Sequence, residues 1–183
     1  MKLIKKIYYE KYSKKSYAIS NVDLVIDRMF SKIKYGVYID VGCNHPIKFN
    51  NTYLLFKRGW EGINIDLDAK SIKEFKKFRP NDYSVEKIVS SDENTKEIYF
   101  YHERSAINTL SKELVNYRKN KPQKIIKKNS STLNKIIEES PYNNKKINLI
   151  TIDIENHEYE ALKNFNFKKY QVDAIVTECT DIS

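Results

Sequence analysis

The longest near-continuous apolar run in the chain is Ile147-Asn-Leu-Ile-Thr-Ile-Asp-Ile, and its composition is that of a strand buried on both faces. Such a strand belongs inside a parallel sheet, because only there do helices cover both sides. The rest of the chain alternates to match. Val37-Tyr-Ile-Asp-Val, bounded by Gly36 and Gly42, is a second short buried strand. Gly62-Ile-Asn-Ile-Asp, Val85-Glu-Lys-Ile-Val-Ser and Ala174-Ile-Val-Thr-Glu predict three more. Helical patterns fall between them: Asn51 to Arg58 with an Asn cap and Gly59 just past its end, and Ser71 to Phe78 stopped by Pro80. Thr132 to Glu139, capped by Ser131, and Glu158 to Phe165 complete the set. Residues 1–35 read as an N-terminal helical segment, with Val22, Leu24, Val25, Met29 and Phe30 at helical spacing behind a cap at Ser20 or Asn21. Ile98-Tyr-Phe-Tyr and Lys124-Ile-Ile-Lys predict a peripheral hairpin-type pair. Strands and helices in this order make an α/β sandwich with a mostly parallel sheet over residues 36–183, one domain overall.

Composition removes several function classes. Hydrophobic residues at 40% are enough for a core, which excludes a disordered chain. No stretch approaches the roughly 18 apolar residues of a membrane span, and the basic start Met1-Lys-Leu-Ile-Lys-Lys lacks the apolar region of a secretory leader. Two cysteines, Cys43 and Cys179, supply neither a disulfide framework nor a Cys-type zinc site, so a reducing cytoplasmic setting is the expectation. The net charge of +9 raises nucleic acid as a partner. Against it, 28 of the basic residues are lysine and only five are arginine, whereas phosphate and base-edge recognition favours the planar fork of arginine. The densest basic stretch, Arg118 to Asn129, reads as a solvated loop running into a strand edge, where lysines discourage sheet-to-sheet association.

In open parallel sheets a ligand sits beyond the carboxyl ends of the strands, and the first strand–helix turn is the first place to look. Here it is Asp40-Val-Gly-Cys-Asn-His-Pro. Gly42 allows a sharp bend and a close approach. Asp66 ends the next strand 24 residues beyond Gly42, the distance at which a carboxylate holds a ribose diol. The second and third glycines of the dinucleotide fingerprint are missing, and so is any phosphate-cradling Gly-rich loop. A nucleoside without phosphates, such as S-adenosylmethionine, fits better.

These residues resemble the FkbM-type family of S-adenosylmethionine-dependent methyltransferases. The likeness runs from about residue 16 to 178. It covers Val37 to Pro46, Asn51-Thr-Tyr, Arg58-Gly-Trp-Glu-Gly-Ile-Asn-Ile-Asp, Phe78-Arg-Pro-Asn-Asp, Val89-Ser-Ser-Asp, Asn108-Thr-Leu, Thr132-Leu and Leu149-Ile-Thr-Ile-Asp-Ile-Glu-Asn-His-Glu-Tyr-Glu-Ala-Leu-Lys. The resemblance implies a Rossmann-like class I methyltransferase fold that uses S-adenosylmethionine. It implies that Asp40, Gly42, Asn44, Asn51 and Thr52 line the methionine end, that Asp66 holds the ribose, and that Ser91 with Asp92 sits by the adenine. A sugar or other small hydroxylated metabolite is the acceptor it implies, methylated on oxygen. Asn156 stands where the family carries a glycine, and the chain stops at Ser183, without the two further strands usual in the family. The strand at 174–178 is then an exposed edge, expected to be covered by a second copy of the chain unless the chain is a truncated form.

Methyl transfer asks the protein to align an acceptor and remove a proton. Asp153, Glu155 and His157, at the end of the longest apolar run, are the candidate catalytic residues. While the strand persists, Asp153 and Glu155 share a face and could act as base and acceptor-orienting group, or hold a divalent cation. Glu158 either joins them or stabilises the start of the next helix. His45 could reach the acceptor or only shape its loop; Cys43 and Trp60 read as packing residues. Tyr101, His102, Arg104 and Ser105 fall in an irregular stretch where an acceptor could bind. Two other readings stay open: a lysine-rich nucleic-acid-binding or nucleic-acid-modifying protein, and a shortened, non-catalytic interaction module with the methyltransferase fold.

Overall fold

The structure is a computed structural model describing residues 14–178. A 3-10 turn at Ile19–Asn21 leads into α1 (Val22–Met29), followed by β1 (Val37–Val41), α2 (Tyr53–Lys57), β2 (Glu61–Asp66), α3 (Ala69–Phe78) and β3 (Tyr83–Glu86). Then come β4 (Ile88–Val89), β5 (Thr95–Phe100), α4 (Lys112–Tyr117), β6 (Lys124–Ser131), α5 (Leu133–Glu139), β7 (Ile147–Ile152), α6 (Glu158–Leu162) and β8 (Val172–Thr177). Residues 1–13 of the expected N-terminal helical segment lie outside the described residues, as does Cys179.

The main sheet has the order β3-β2-β1-β7-β8, with every pairing parallel. β1 and β7 are buried along their whole length, as their apolar runs predict. Alternation along β1 divides the core in two. Val37, Ile39 and Val41 face Leu133, Ile136 and Ile137 of α5 and Ala161 of α6. Tyr38 faces the other way, against Ile26 of α1, Leu55 of α2, Phe30 and Trp60. Phe30 meets Trp60 edge-on at 5.2 Å between ring centroids. Arg58 secures α1 by donating to Asp27 Oδ1 at 2.9 Å, Phe30 O at 2.8 Å and Ile33 O at 2.6 Å.

A second sheet, β4-β6-β5, holds the expected antiparallel pair β5–β6. The expected strand over Val85–Ser90 is divided at Lys87. Its N–H reaches Asp66 O, the last bond to the main sheet, and Ile88–Val89 then pairs with Ser130–Ser131 of β6. Cap positions also shift. Asp68 caps α3 by accepting from Lys70 and Ser71 N–H, so that helix starts at Ala69 instead of Ser71. Thr132 caps α5 in place of Ser131, which is still paired in β6. α2 begins after Thr52, not Asn51, because the side chains at 50 and 52 turn inward to Asp40. Asn21 precedes α1 in left-handed backbone with no cap bond of its own; Asp23 accepts instead from Ser16 Oγ and Tyr17 N–H, both at 2.6 Å. No helix among the described residues is long and apolar enough to cross a membrane.

Candidate functional site

Because β1, β2, β7 and β8 run the same way, the turns after Val41, Asp66 and Ile152 open on one edge, where Glu178 follows β8. A cavity of about 320 Å³ lies there, closed on its far side by residues 104–110 of the segment between β5 and α4. Gly42, in left-handed backbone with φ of +78°, forms part of its wall. A Cβ at this position would overlap the carbonyl oxygen of Asp153, so the glycine is required by the β7 turn as well as by any ligand. Asp153 N–H in turn donates to Val41 O at 3.0 Å. The two turns are in backbone contact.

Asn44 and Asp66 also line the cavity. Asp66 Oδ2 accepts the Asn44 N–H and Oδ1 the Asp68 N–H, both at 2.8 Å. The two bonds fix the plane of the carboxylate and leave acceptor capacity on both oxygens. Burial, opposed by these bonds, pushes its pKa up to about 6. Nearby, the Ser71 and Ser105 hydroxyls belong to lining residues but are themselves buried, with no hydrogen-bond partner among the described residues.

The other five residues expected at the cofactor are not in the wall. Asp40 is buried and accepts from Asn50 Nδ2 at 3.0 Å and Thr52 Oγ1 at 2.7 Å, with burial raising its pKa. Asn51 Nδ2 donates to Thr151 Oγ1 at 3.0 Å, tying the start of α2 to β7. Ser91 donates to Glu160 Oε2 at 2.7 Å. Asp92 accepts from Asn94 N–H and Lys96 Nζ, each at 2.9 Å.

Asp153, Glu155 and His157 all line the cavity, though not by strand alternation. β7 stops at Ile152, and Glu155 (φ of 57°) with Asn156 (φ of 70°) folds the turn back in left-handed backbone. Asn156 thus adopts the conformation a glycine would. Glu158 braces this turn, its Oε1 accepting from Ile154 N–H at 3.0 Å and Asn156 N–H at 3.3 Å.

Asp153 faces the cavity, crowded by other acids. Although its side chain stays exposed to the cavity, desolvation by the surrounding protein, and then the Glu178, Glu155 and Glu158 carboxylates, push its pKa up to about 7. Glu155 is ion-paired to Arg118, whose Nη1 donates to Ile107 O at 2.7 Å; burial raises the Glu155 pKa and Arg118 opposes it. His157 Nε2 lies 3.2 Å from Ser90 Oγ, and burial lowers its pKa, which keeps the ring neutral near pH 7. Among the described residues no three His, Cys, Asp or Glu groups converge to hold a metal ion.

His45 shapes its loop: Nδ1 accepts from Ile47 and Lys48 N–H at 3.0 Å. Cys43 packs with Ile72 and Phe75, and burial holds its thiol well above the ordinary range. Of the irregular stretch, Arg104 and Ser105 reach the wall, whereas Tyr101 is buried and His102 exposed away from it. Arg104 N–H donates to Asp68 Oδ2 at 2.6 Å and its guanidinium grips Glu74 at 2.7 and 2.8 Å. At the other end Thr109 Oγ1 donates to Glu155 O at 2.7 Å. Sequence reasoning passed over Asp68, Ser71 and Glu178 in the wall. Asp68 carried a readable signal, an acid one residue before a helical run; Glu178 was legible only as a strand residue.

The family model for the Methyltransferase FkbM domain matches residues 40–183. No curated protein and no solved structure matches the chain. The matched range takes in the turns after β1, β2 and β7 and Glu178 at the end of β8, which build the cavity, and the chain belongs to the FkbM methyltransferase family.

Proposed function

We propose that the protein is a cytoplasmic S-adenosylmethionine-dependent methyltransferase that modifies a hydroxyl group on a sugar or another small hydroxylated metabolite. One observation carries this reading: the Asp66 carboxylate, held by two backbone N–H groups, lines the same cavity as Asp153. The donor set suits a phosphate-free nucleoside. Asp66 would accept from the ribose hydroxyls, and Gly42 and Asn44 would border the methionine portion. Asp40, Asn51, Thr52, Ser91 and Asp92 support it by fixing the surrounding loops.

Bound S-adenosylmethionine would supply an electrophilic methyl group on a sulfonium centre. Asp153, half-ionised near neutral pH, is the group to take the proton from the acceptor hydroxyl. Glu155, held by Arg118, keeps the wall in place, and neutral His157 is available to hydrogen-bond the acceptor. The edge of β8, over 174–178, is taken as the contact for a second copy of the chain.

Titration calorimetry with S-adenosylmethionine tests the reading. Wild type is expected to bind in the micromolar range, and Asp66→Ala to lose about 1.5–3 kcal/mol with its charge-assisted hydrogen bonds. Equal affinity in the two proteins refutes the ribose assignment.

A further inference from the structure

Arg79 is fully buried and has no place in the cavity wall, yet it makes more polar contacts than any residue that does. Nε and Nη2 both donate to Pro46 O, at 3.2 and 2.5 Å. Nη2 also reaches Asn50 Oδ1 at 2.8 Å, and Nη1 reaches Thr52 Oγ1 at 2.8 Å and the Tyr38 hydroxyl at 3.1 Å. Aromatic rings enclose the guanidinium, Phe75 at 4.9 Å and Phe56 at 5.0 Å from their centroids. Its charge is offset by two buried acids: Asp40, through Asn50 and Thr52, and Asp82, which accepts from Tyr38 at 2.5 Å.

The three anchors Pro46, Asn50 and Thr52 lie on the single loop 43–52, the one that presents Asn44 N–H to Asp66. That loop is strained. Asn44 (φ of 47°) and Phe49 (φ of 51°) both stand in left-handed backbone, which for an aromatic residue persists only where the surroundings enforce it. Asn50 Nδ2 extends the grip to Cys43 O at 3.3 Å, one residue from Asn44.

We propose that Arg79 is a positioning residue of the cofactor site, a buried clamp that holds loop 43–52 in the strained shape from which Asn44 orients the Asp66 carboxylate. The proposal rests on the reading that this cavity takes S-adenosylmethionine. Lysine cannot replace the clamp. A single ammonium carries three donors on a point, whereas the fork serves acceptors on both of its sides.

The test measures binding of S-adenosylhomocysteine and backbone amide exchange in wild type, Arg79→Lys and Asn50→Ala. Both variants are expected to weaken the dissociation constant by about tenfold or more, with binding stoichiometry near one. Their amide exchange is expected to quicken over residues 43–52 while β1, β2 and β7 stay protected. Unchanged affinity with fewer binding sites, or exchange that quickens evenly across the sheet, identifies a folding role only and overturns the proposal. If Arg79→Lys fails to fold, Asn50→Ala carries the test, because it removes one anchor and leaves the arginine buried. A wild type that binds no S-adenosylhomocysteine sinks the cofactor reading instead; the clamp then stands or falls on the exchange pattern of the free protein.

Discussion

Two demands meet at Gly42: a positive φ, and no side chain between its Cα and the Asp153 carbonyl. Alanine there would be strained in its backbone and would push β1 from β7 at the closest approach of their turns. Gly42→Ala is expected to cost about 2–4 kcal/mol in urea unfolding, the sum of a left-handed penalty and overpacking. A loss within error of zero would mean that the turns separate freely. Residue-level reading reaches the need for a bend here, since a lone glycine after a buried strand has few other uses. It does not reach the partner. Asp153 lies far along the chain, and only the register of β1 on β7, with Asp40 opposite Thr151, brings its carbonyl to Gly42.

At the scale of elements, β8 is hydrogen-bonded to β7 on one side and has no strand on the other among the described residues. Asp173, Ile175 and Thr177 are exposed along it. An open parallel edge is a template for pairing, so sedimentation velocity at micromolar concentration is expected to show a dimer; a single monomeric species would remove the proposed contact. Four of the five parallel strands were legible from the apolar residues each carries, whereas of β3 (Tyr83–Glu86) only Val85 and Glu86 fall in the expected strand. The division at Lys87 was not legible, because Val85 to Ser90 is apolar enough to read as one strand and its two halves differ only in which neighbour they meet. The wall at 104–110 was hidden for a related reason. Its shape comes from distant anchors, Asp68 and Glu74 at one end and Glu155 at the other, rather than from any local pattern. Asp66, in contrast, stood out by spacing alone, since strand length and crossover length set where the second strand ends.

For the molecule as a whole, the burial of acids at one edge, with other carboxylates beside them, gives stability a pH dependence opposite to that of most carboxylates. Asp153 and Asp66 have folded pKa values raised to about 7 and about 6, so the folded state binds their protons more tightly than the unfolded chain does. Their contribution is fully present below the unfolded carboxylate range, near pH 4, and is lost as pH rises through 6 to 7. Asp27 and Asp173 are shifted down, Asp27 against its own burial by Lys14 and Arg58, Asp173 chiefly by Lys146, and lose their contribution as pH falls below the ordinary range. The thermal midpoint is therefore expected to peak at mildly acidic pH, about 5, and to decline toward pH 8 by scanning calorimetry. Asp153→Asn should flatten that decline, and a midpoint that climbs steadily to pH 8 would contradict the assignment. The same contrast between edge and interior governs the cations. Arg79 joins loop 43–52 to Tyr38 of β1 and Arg118 joins Ile107 to Glu155, while Arg58 gathers Asp27, Phe30 and Ile33 and Arg104 grips Glu74 with both arms of its fork, in a chain where 28 other cations are lysine. Mutational tolerance divides accordingly: drift between the two basic residues passes unnoticed across the outer surface, while at these four addresses the mildest of exchanges loosens several bonds at once.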